Sequence, residues 1–394
     1  FDFSKENFDL LQIRELAIPE IDKFIFRYTI LELNTAIKPY IISTLFKRGY
    51  EKVIYFDPDI RIYHSLNGML DLLDQHQMLL TPHLTGRLDD DNHPGELNIL
   101  VSGTYNLGYI GLRNTADMRH FVQWWEQKLY TDCVVDIEHG LFVDQKWVDL
   151  VPGMYEGVCI NRDPGWNTAY WNLMLRRVEE GDGIYTVNGE PLVFFHFSGF
   201  SGEANTLSVH QNRYSKKSAG AAVASLCKEY AQELEDNGLA QTRLLAYHYG
   251  HFADGTRIPD LARRIYREDY DWVHSTDNPF EPQGCANFLG YLNEPMTLKG
   301  KRLPWITRLA LKLYETREDL QQSFPDLSGP QGRRFADWYI QSSAEQAGFD
   351  ECLILPVRHA LSQLDHSSED IALVRRWLNR TNRAIYRIVW RYRH

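Results

Sequence analysis

Residues 53–59 read Val53-Ile54-Tyr55-Phe56-Asp57-Pro58-Asp59. Four apolar residues, β-branched or aromatic, stopped by Asp-Pro turn chemistry, predict a buried strand that ends on two carboxylates. Two Asp side chains one residue apart at a strand end can both reach one hard divalent cation, Mn²⁺ or Mg²⁺. Such an ion prefers oxygen ligands and is often shared with substrate phosphates. Asp and Pro are also ordinary turn residues, so a plain surface turn is the competing reading. The apolar run in front of the pair favours a functional one, since a surface turn does not need it.

Outward from this strand, helices and strands alternate. Residues 22–48 carry a helical stripe (Leu31, Ile37, Ile41, Leu45, Phe46), with Pro39 predicting a kink or a break just before it. Residues 65–75 read as a helix, Met78 to Pro82 as a strand, Tyr105 to Leu112 as a strand, 115–130 as a helix and Leu192 to Phe197 as a further buried strand. Alternation over residues 1–200 predicts an α/β layer fold with a largely parallel sheet. Ligands in such sheets bind beyond the carboxyl ends of the strands, where Asp57, Asp59 and His196 fall.

The length of 394 residues suggests two or three domains at about 150 residues each. Hydrophobic residues make up 44% of the chain, enough for a sizeable core. The net charge of -11 argues against a general nucleic-acid binder. The five cysteines contain no CxxC pair, which excludes a zinc knuckle or disulfide scaffold on spacing and fits a reducing compartment, the cytoplasm.

Other residues carry chemistry with two readings each. His196, within Phe194-Phe195-His196-Phe197-Ser198-Gly199, is either a satisfied core histidine or a ligand. Gly199 permits close backbone approach to a ligand. Asp144-Gln145 offers a carboxylate and an amide suited to sugar hydroxyls, or else starts a helix with Asp on the favourable end of its dipole. Asn106, inside an otherwise apolar strand, needs partners, and a polar ligand is one option. In Trp166-Asn167-Thr168-Ala169-Tyr170-Trp171-Asn172, Trp166 and Asn167 suit stacking on and hydrogen bonding to a sugar, or plain aromatic packing.

In their order along the chain, Tyr55-Phe56-Asp57-Pro58-Asp59, Tyr105-Asn106-Leu107-Gly108, Asp144-Gln145 and His196-Phe197-Ser198-Gly199 resemble the GT-A glycosyltransferases, nearest to the retaining family 8 type (glycogenin- and galactosyltransferase-like) and its bacterial branch. The resemblance covers residues 28–214. It implies a GT-A, Rossmann-like domain over residues 1–217 that moves a hexose from a nucleotide sugar, a UDP-sugar, with retention, to a glycan or lipid-linked acceptor in bacterial surface polysaccharide synthesis. It implies Asp57, Asp59 and His196 as ligands of Mn²⁺ or Mg²⁺. Lys38 would contact the donor, and Asn106, Asp144 and Gln145 its sugar, with Gln145 near the anomeric carbon and Asp144 beside it in the catalytic pair.

Two features depart from that family. Its HxxG is usually followed by a Lys-Pro-Trp that clamps the diphosphate, and here Phe200-Ser201-Gly202-Glu203 follows. His210, Arg213 or Lys216 could supply that charge. The chain also begins at Phe1-Asp2, with too few residues ahead of Lys38 for the strand–helix–strand unit of the base pocket, so a truncated start is expected. A non-catalytic carbohydrate- or nucleotide-sugar-binding scaffold is the alternative. A nucleotidyltransferase would want a basic or Gly-rich phosphate loop near the start, which this sequence lacks.

Residues 218–394 read as a mostly helical accessory region, with Asn278 to Pro295 as a linker or boundary and a helical pattern from 303 onward, broken at Phe324-Pro325-Asp326 and Ser328-Gly329-Pro330. Asn287-Phe288-Leu289-Gly290-Tyr291-Leu292 resembles the opening of a GT-B domain, but too little chain follows for one. Arg376, Arg380, Arg383, Arg387 and Arg391 share one helix face near the end. That pattern suits a basic amphipathic helix in peripheral contact with the inner face of the cytoplasmic membrane, or one packed on the acidic remainder of the chain.

Overall fold

The computed structural model describes residues 7–202, 206–269, 275 and 277–363. The chain is mixed α/β and divides into two compact units, one of residues up to Phe24 with Tyr28–Ala246, the other of Ile25–Arg27 with the chain from Tyr247 on.

The helical stripe of residues 22–48 forms three helices, Ile21–Arg27, Ile30–Ala36 and Lys38–Lys47, the last two in the first unit. Thr29 caps the second through a reciprocal capping box with Glu32. The break before Pro39 falls at Ile37, and Pro39 occupies the first turn of the third helix, where a missing N–H costs nothing. Strands follow: β1 (Lys52–Phe56), β2 (Ile60–Ile62), β3 (Met78–Leu80), β4 (Tyr109–Arg113), β5 (Val135–Asp136), β6 (Leu141–Phe142), β7 (Val158–Ile160), β8 (Val178–Gly181), β9 (Ile184–Val187), β10 (Glu190–Pro191) and β11 (Phe194–His196).

The main sheet has the order β1-β4-β3-β7. It is not largely parallel: β4 runs antiparallel to both β1 and β3, and only β3–β7 is a parallel pair. Alternation of elements specifies layers but not strand direction. Here the chain leaves β3 through a long loop and the helix Glu96–Ser102, then threads back between β1 and β3 in the opposite sense. The helix Asn67–Gln75 places Met69 and Leu73 in a core with Leu79, Tyr109, Trp166 and Phe194.

The helix Ala221–Asp236 belongs to this unit, so the division lies beyond the expected 217/218 boundary. Its Ala222, Val223, Leu226 and Cys227 share a core with Phe195 and Phe197. Tyr230 stacks on Phe197 with ring centroids 3.9 Å apart, and Arg61 bridges to Glu229 and Glu233. The helix therefore backs the β2–β11 ribbon that carries His196.

The second unit is mainly helical, with a core that includes Phe26, Tyr266, Phe288, Leu309, Phe335 and Tyr339. Two expectations fail there. The stretch expected as a linker contains a helix, Pro282–Leu292, with Pro282 in its first turn. Gly284 explains its close seating: a Cβ there would lie 2.1 Å from the Asn278 carbonyl oxygen. Helix does not run on from 303, because Pro295–Leu298 (β12) and Lys301–Thr307 (β13) form a hairpin. The two residues between them, Lys299 and Gly300, both adopt positive φ, the geometry of the turn that matches strand twist. The arginine-rich stretch from 375 onward lies outside the described residues. Among the described residues no helix is long and apolar enough to cross a membrane.

Candidate metal centre

The turn after β1 leads directly into β2, and β2 pairs antiparallel with β11 so that His196 stands opposite Ile60. The Asp57 N–H donates to the Gly108 carbonyl at 2.7 Å, and the Phe197 N–H to the Asp59 carbonyl at 2.8 Å. These backbone bonds bring Asp57, Asp59 and His196 together with their ligand atoms within 4.8 Å of one another. His196 Nε2 lies 3.0 Å from Asp59 Oδ1; the imidazole is 4% exposed and the Asp59 side chain 39%. Two carboxylate oxygens and one imidazole nitrogen, with Asp57 and Asp59 partly open to solvent, form a donor set that could hold a divalent cation. Burial works against the Asp59 carboxylate, but its hydrogen bond to His196 and the charge there hold its pKa below the ordinary value.

Lys38 lies behind this trio. Its ammonium is 2.9 Å from Asp144 Oδ2 and 3.2 Å from Asp57 Oδ1, with Lys38 and Asp144 each only 2% exposed. It also donates to the Leu107 carbonyl at 2.8 Å and lies over the Tyr55 ring. Burial alone would lower the Lys38 pKa; the carboxylates of Asp144 and Asp57 outweigh it and raise it, so the amine stays charged. Burial pushes the Asp144 carboxyl up, with Lys38 opposing. The Tyr55 hydroxyl, its pKa raised by burial, donates to Asp57 Oδ1 at 2.8 Å. Asp57 is thus held by two donors through one oxygen. The sequence reading sent Lys38 to the donor; in the structure its ammonium is spent on three protein oxygens, and it braces both carboxylates. Asp144 stands at the N-cap of the helix Gln145–Val148 without a side-chain cap bond, and its charged partner is Lys38.

Asn106 precedes β4 rather than lying within it, on a bend tied to Thr81 by its N–H. Its Oδ1 lies 3.1 Å from His196 Nδ1 and accepts from Asn167 Nδ2 at 2.9 Å. Its Nδ2 faces His83 Nε2 at 3.2 Å. Asn167, fully buried and at φ 55°, also donates to Thr81 Oγ1. Burial lowers the His83 pKa to about 4, so this ring is neutral near pH 7 and its Nε2 can accept a hydrogen bond from Asn106 Nδ2. Trp171 packs edge-on against both His83 and His196.

The remaining predicted residues are distributed differently. Gln145 is 9% exposed, donating to the Ser102 carbonyl at 2.8 Å and accepting from the Leu107 N–H at 3.5 Å. Trp166 is 5% exposed and packs edge-on against Tyr109 in the core, so it offers no open face for stacking. Gly199 has φ +68°, and what approaches it is this chain: a Cβ there would lie 2.4 Å from His210 Cδ2. Arg213 grips Asp90 with Nε and Nη2 and also reaches the Asn92 and Pro94 carbonyls. It staples the loop before the 96–102 helix and is not a free cation for a diphosphate. Tyr55, Thr81, His83 and Gly108 were given no role by the sequence, and Trp171, in the stretch read for stacking on a sugar, packs instead on the two histidines. Gly108 and Tyr55 lay inside quoted motifs, whereas His83 meets Asn106 only through the fold.

No family model matches this chain, and no solved structure does. Two relatives from Bacillus subtilis (strain 168) are similar to it. One is the uncharacterized protein YfnD, 27% identical over 201 residues, covering 50% of this chain and 62% of the relative. The other is the uncharacterized protein YfnF, 26% identical over 151 residues, covering 38% and 50%. The chain therefore spans only about half to three-fifths of the length of these relatives.

Proposed function

We propose that the chain is a metal-dependent glycosyltransferase that moves a hexose from a UDP-sugar to a glycan or lipid-linked acceptor, with retention. The observation that carries this reading is the meeting of Asp57, Asp59 and His196 at the strand ends, with Asp144 and Gln145 brought beside them by Lys38 and Leu107. A cation held by the three ligands would supply neutralisation of charge on the leaving diphosphate. Lys38 and the Tyr55 hydroxyl hold Asp57 Oδ1 in place, and Lys38 bridges it to Asp144. Asp144 and Gln145 bind and orient the sugar in this reading. Both are nearly buried, Asp144 at 2% and Gln145 at 9% exposed.

The test is UDP release from a panel of UDP-sugars with Mn²⁺, in the chain with any natural flanking residues. Asp57→Ala/Asp59→Ala is expected to cut turnover by about 10³-fold or more, since Lewis-acid stabilisation of several kcal/mol is lost and about 1.4 kcal/mol is tenfold. Undiminished turnover in the double variant would sink the metal reading. The alternative of a non-catalytic nucleotide-sugar-binding scaffold is favoured by one observation, the commitment of Arg213 to Asp90. Calorimetric UDP binding without turnover of any sugar, with acceptors supplied, would select it.

A further inference from the structure

Asn106 Oδ1 lies 3.1 Å from His196 Nδ1. An amide oxygen cannot donate, so this contact is attractive only if Nδ1 carries the proton. The same oxygen accepts from Asn167 Nδ2, which is itself tied to Thr81 Oγ1 at 2.8 Å. On the other side of the amide, Nδ2 faces the neutral His83 ring. Each of these side chains is at most 7% exposed, so water does not compete for the bonds. With the proton on Nδ1, the Nε2 lone pair of the neutral ring points at Asp59 Oδ1, 3.0 Å away. That gap is bridged either by a second proton, which makes the ring an imidazolium hydrogen-bonded to Asp59, or by a bound cation that takes the proton's place.

We propose that Asn106 is a positioning residue that fixes the tautomer of His196, presenting the Nε2 lone pair to a cation at the Asp57–Asp59 turn. The Thr81–Asn167 pair and His83 hold the Asn106 amide in the required sense. This assigns Asn106 a place behind the histidine rather than against a sugar. It rests on the metal reading above only for the identity of the cation's function, since the tautomer is a property of the protein alone. Outer partners that orient a metal-bound imidazole are commonly worth 10- to 100-fold in affinity.

Two measurements test it. Long-range ¹H–¹⁵N NMR on the neutral ring of metal-free protein should show His196 with a protonated Nδ1 and a bare Nε2. Mn²⁺ titration by calorimetry should show affinity falling about 10- to 100-fold in Asn106→Leu and staying within a few-fold of wild type in Asn106→Asp, which keeps an acceptor for Nδ1–H. A neutral His196 ring that carries its proton on Nε2 and not on Nδ1 overturns the proposal, as does wild-type affinity in Asn106→Leu. If Asn106→Leu fails to fold, the wild-type tautomer and Asn106→Asp decide: loss of the Nδ1–H form in Asn106→Asp counts against it. If wild-type protein binds no Mn²⁺, the metal reading falls by itself, and the NMR result still decides what Asn106 does.

Discussion

Lys38→Met is expected to destabilise the sheet-bearing unit by about 3–5 kcal/mol, the usual cost of leaving a buried charge without its partner. Asp144 is the reason. It is 2% exposed and lies against an ammonium that is equally buried, and the variant leaves it to desolvation alone. Asp57 loses one of its two donors but keeps the Tyr55 hydroxyl and partial contact with solvent, so it contributes less. The chain has two units and need not unfold in one step. Hydrogen exchange at the β1–β4 amides under increasing urea reads the loss where the pair resides. Lys38→Met/Asp144→Leu removes both charges and should recover much of the stability, since an apolar replacement of a buried pair is often neutral or better. A single variant within 1 kcal/mol of wild type would show that Lys38 is dispensable for the fold. The contrast also separates stability from binding, because the double variant still carries Asp57, Asp59 and His196 for a Mn²⁺ titration.

The first part of the site was readable because its signals are local. An apolar run followed by Asp57-Pro58-Asp59 states a strand and its end within seven residues. The break near Pro39 and the helix spacing of Met118, Phe121, Val122, Trp125 and Leu129 are equally local, and all five of these side chains are buried in the structure. The parts that were not readable depend on partners far along the chain. Strand direction in the sheet follows from where β4 inserts, which no window of sequence states. Lys38 reaches Asp144 across more than a hundred positions, and in the sequence it looks like any lysine at a helix start. Asn106 and His83 are 23 residues apart and meet only when β3 and β4 pair. Trp166 shows the opposite failure: aromatic-amide interleaving suited both stacking on a sugar and core packing, and burial alone chose between them.

Gly108→Ala is expected to dislodge His196 and lower Mn²⁺ affinity by about 100-fold, the upper end of what losing the orientation of a metal-bound imidazole costs. The backbone there does not require glycine, because its φ is not positive, so the effect is steric. An added Cβ would lie 2.3 Å from His196 Cε1, 2.8 Å from His196 Nδ1 and 2.9 Å from Asn106 Oδ1. Real contacts of that kind do not occur, so the ring or the strand has to move. The ring has little room, being 4% exposed with Trp171 edge-on against it at 5.1 Å between centroids. The same methyl group would therefore push apart the pair that sets the histidine's tautomer and withdraw Nε2 from Asp59. Overpacking should also cost about 1–3 kcal/mol of stability, which the β1–β4 amide exchange measures separately from affinity. Gly153→Ala is the control, because nothing lies within 4 Å of a Cβ there. Unchanged Mn²⁺ affinity in Gly108→Ala, with the fold intact, would mean that His196 is not a ligand and that any bound cation rests on Asp57 and Asp59 alone. A loss comparable to that in Asn106→Leu would instead place Gly108, Asn106 and His196 in one mechanical unit. On that outcome the glycine in Tyr105-Asn106-Leu107-Gly108 is there because the imidazole occupies the space of its missing side chain.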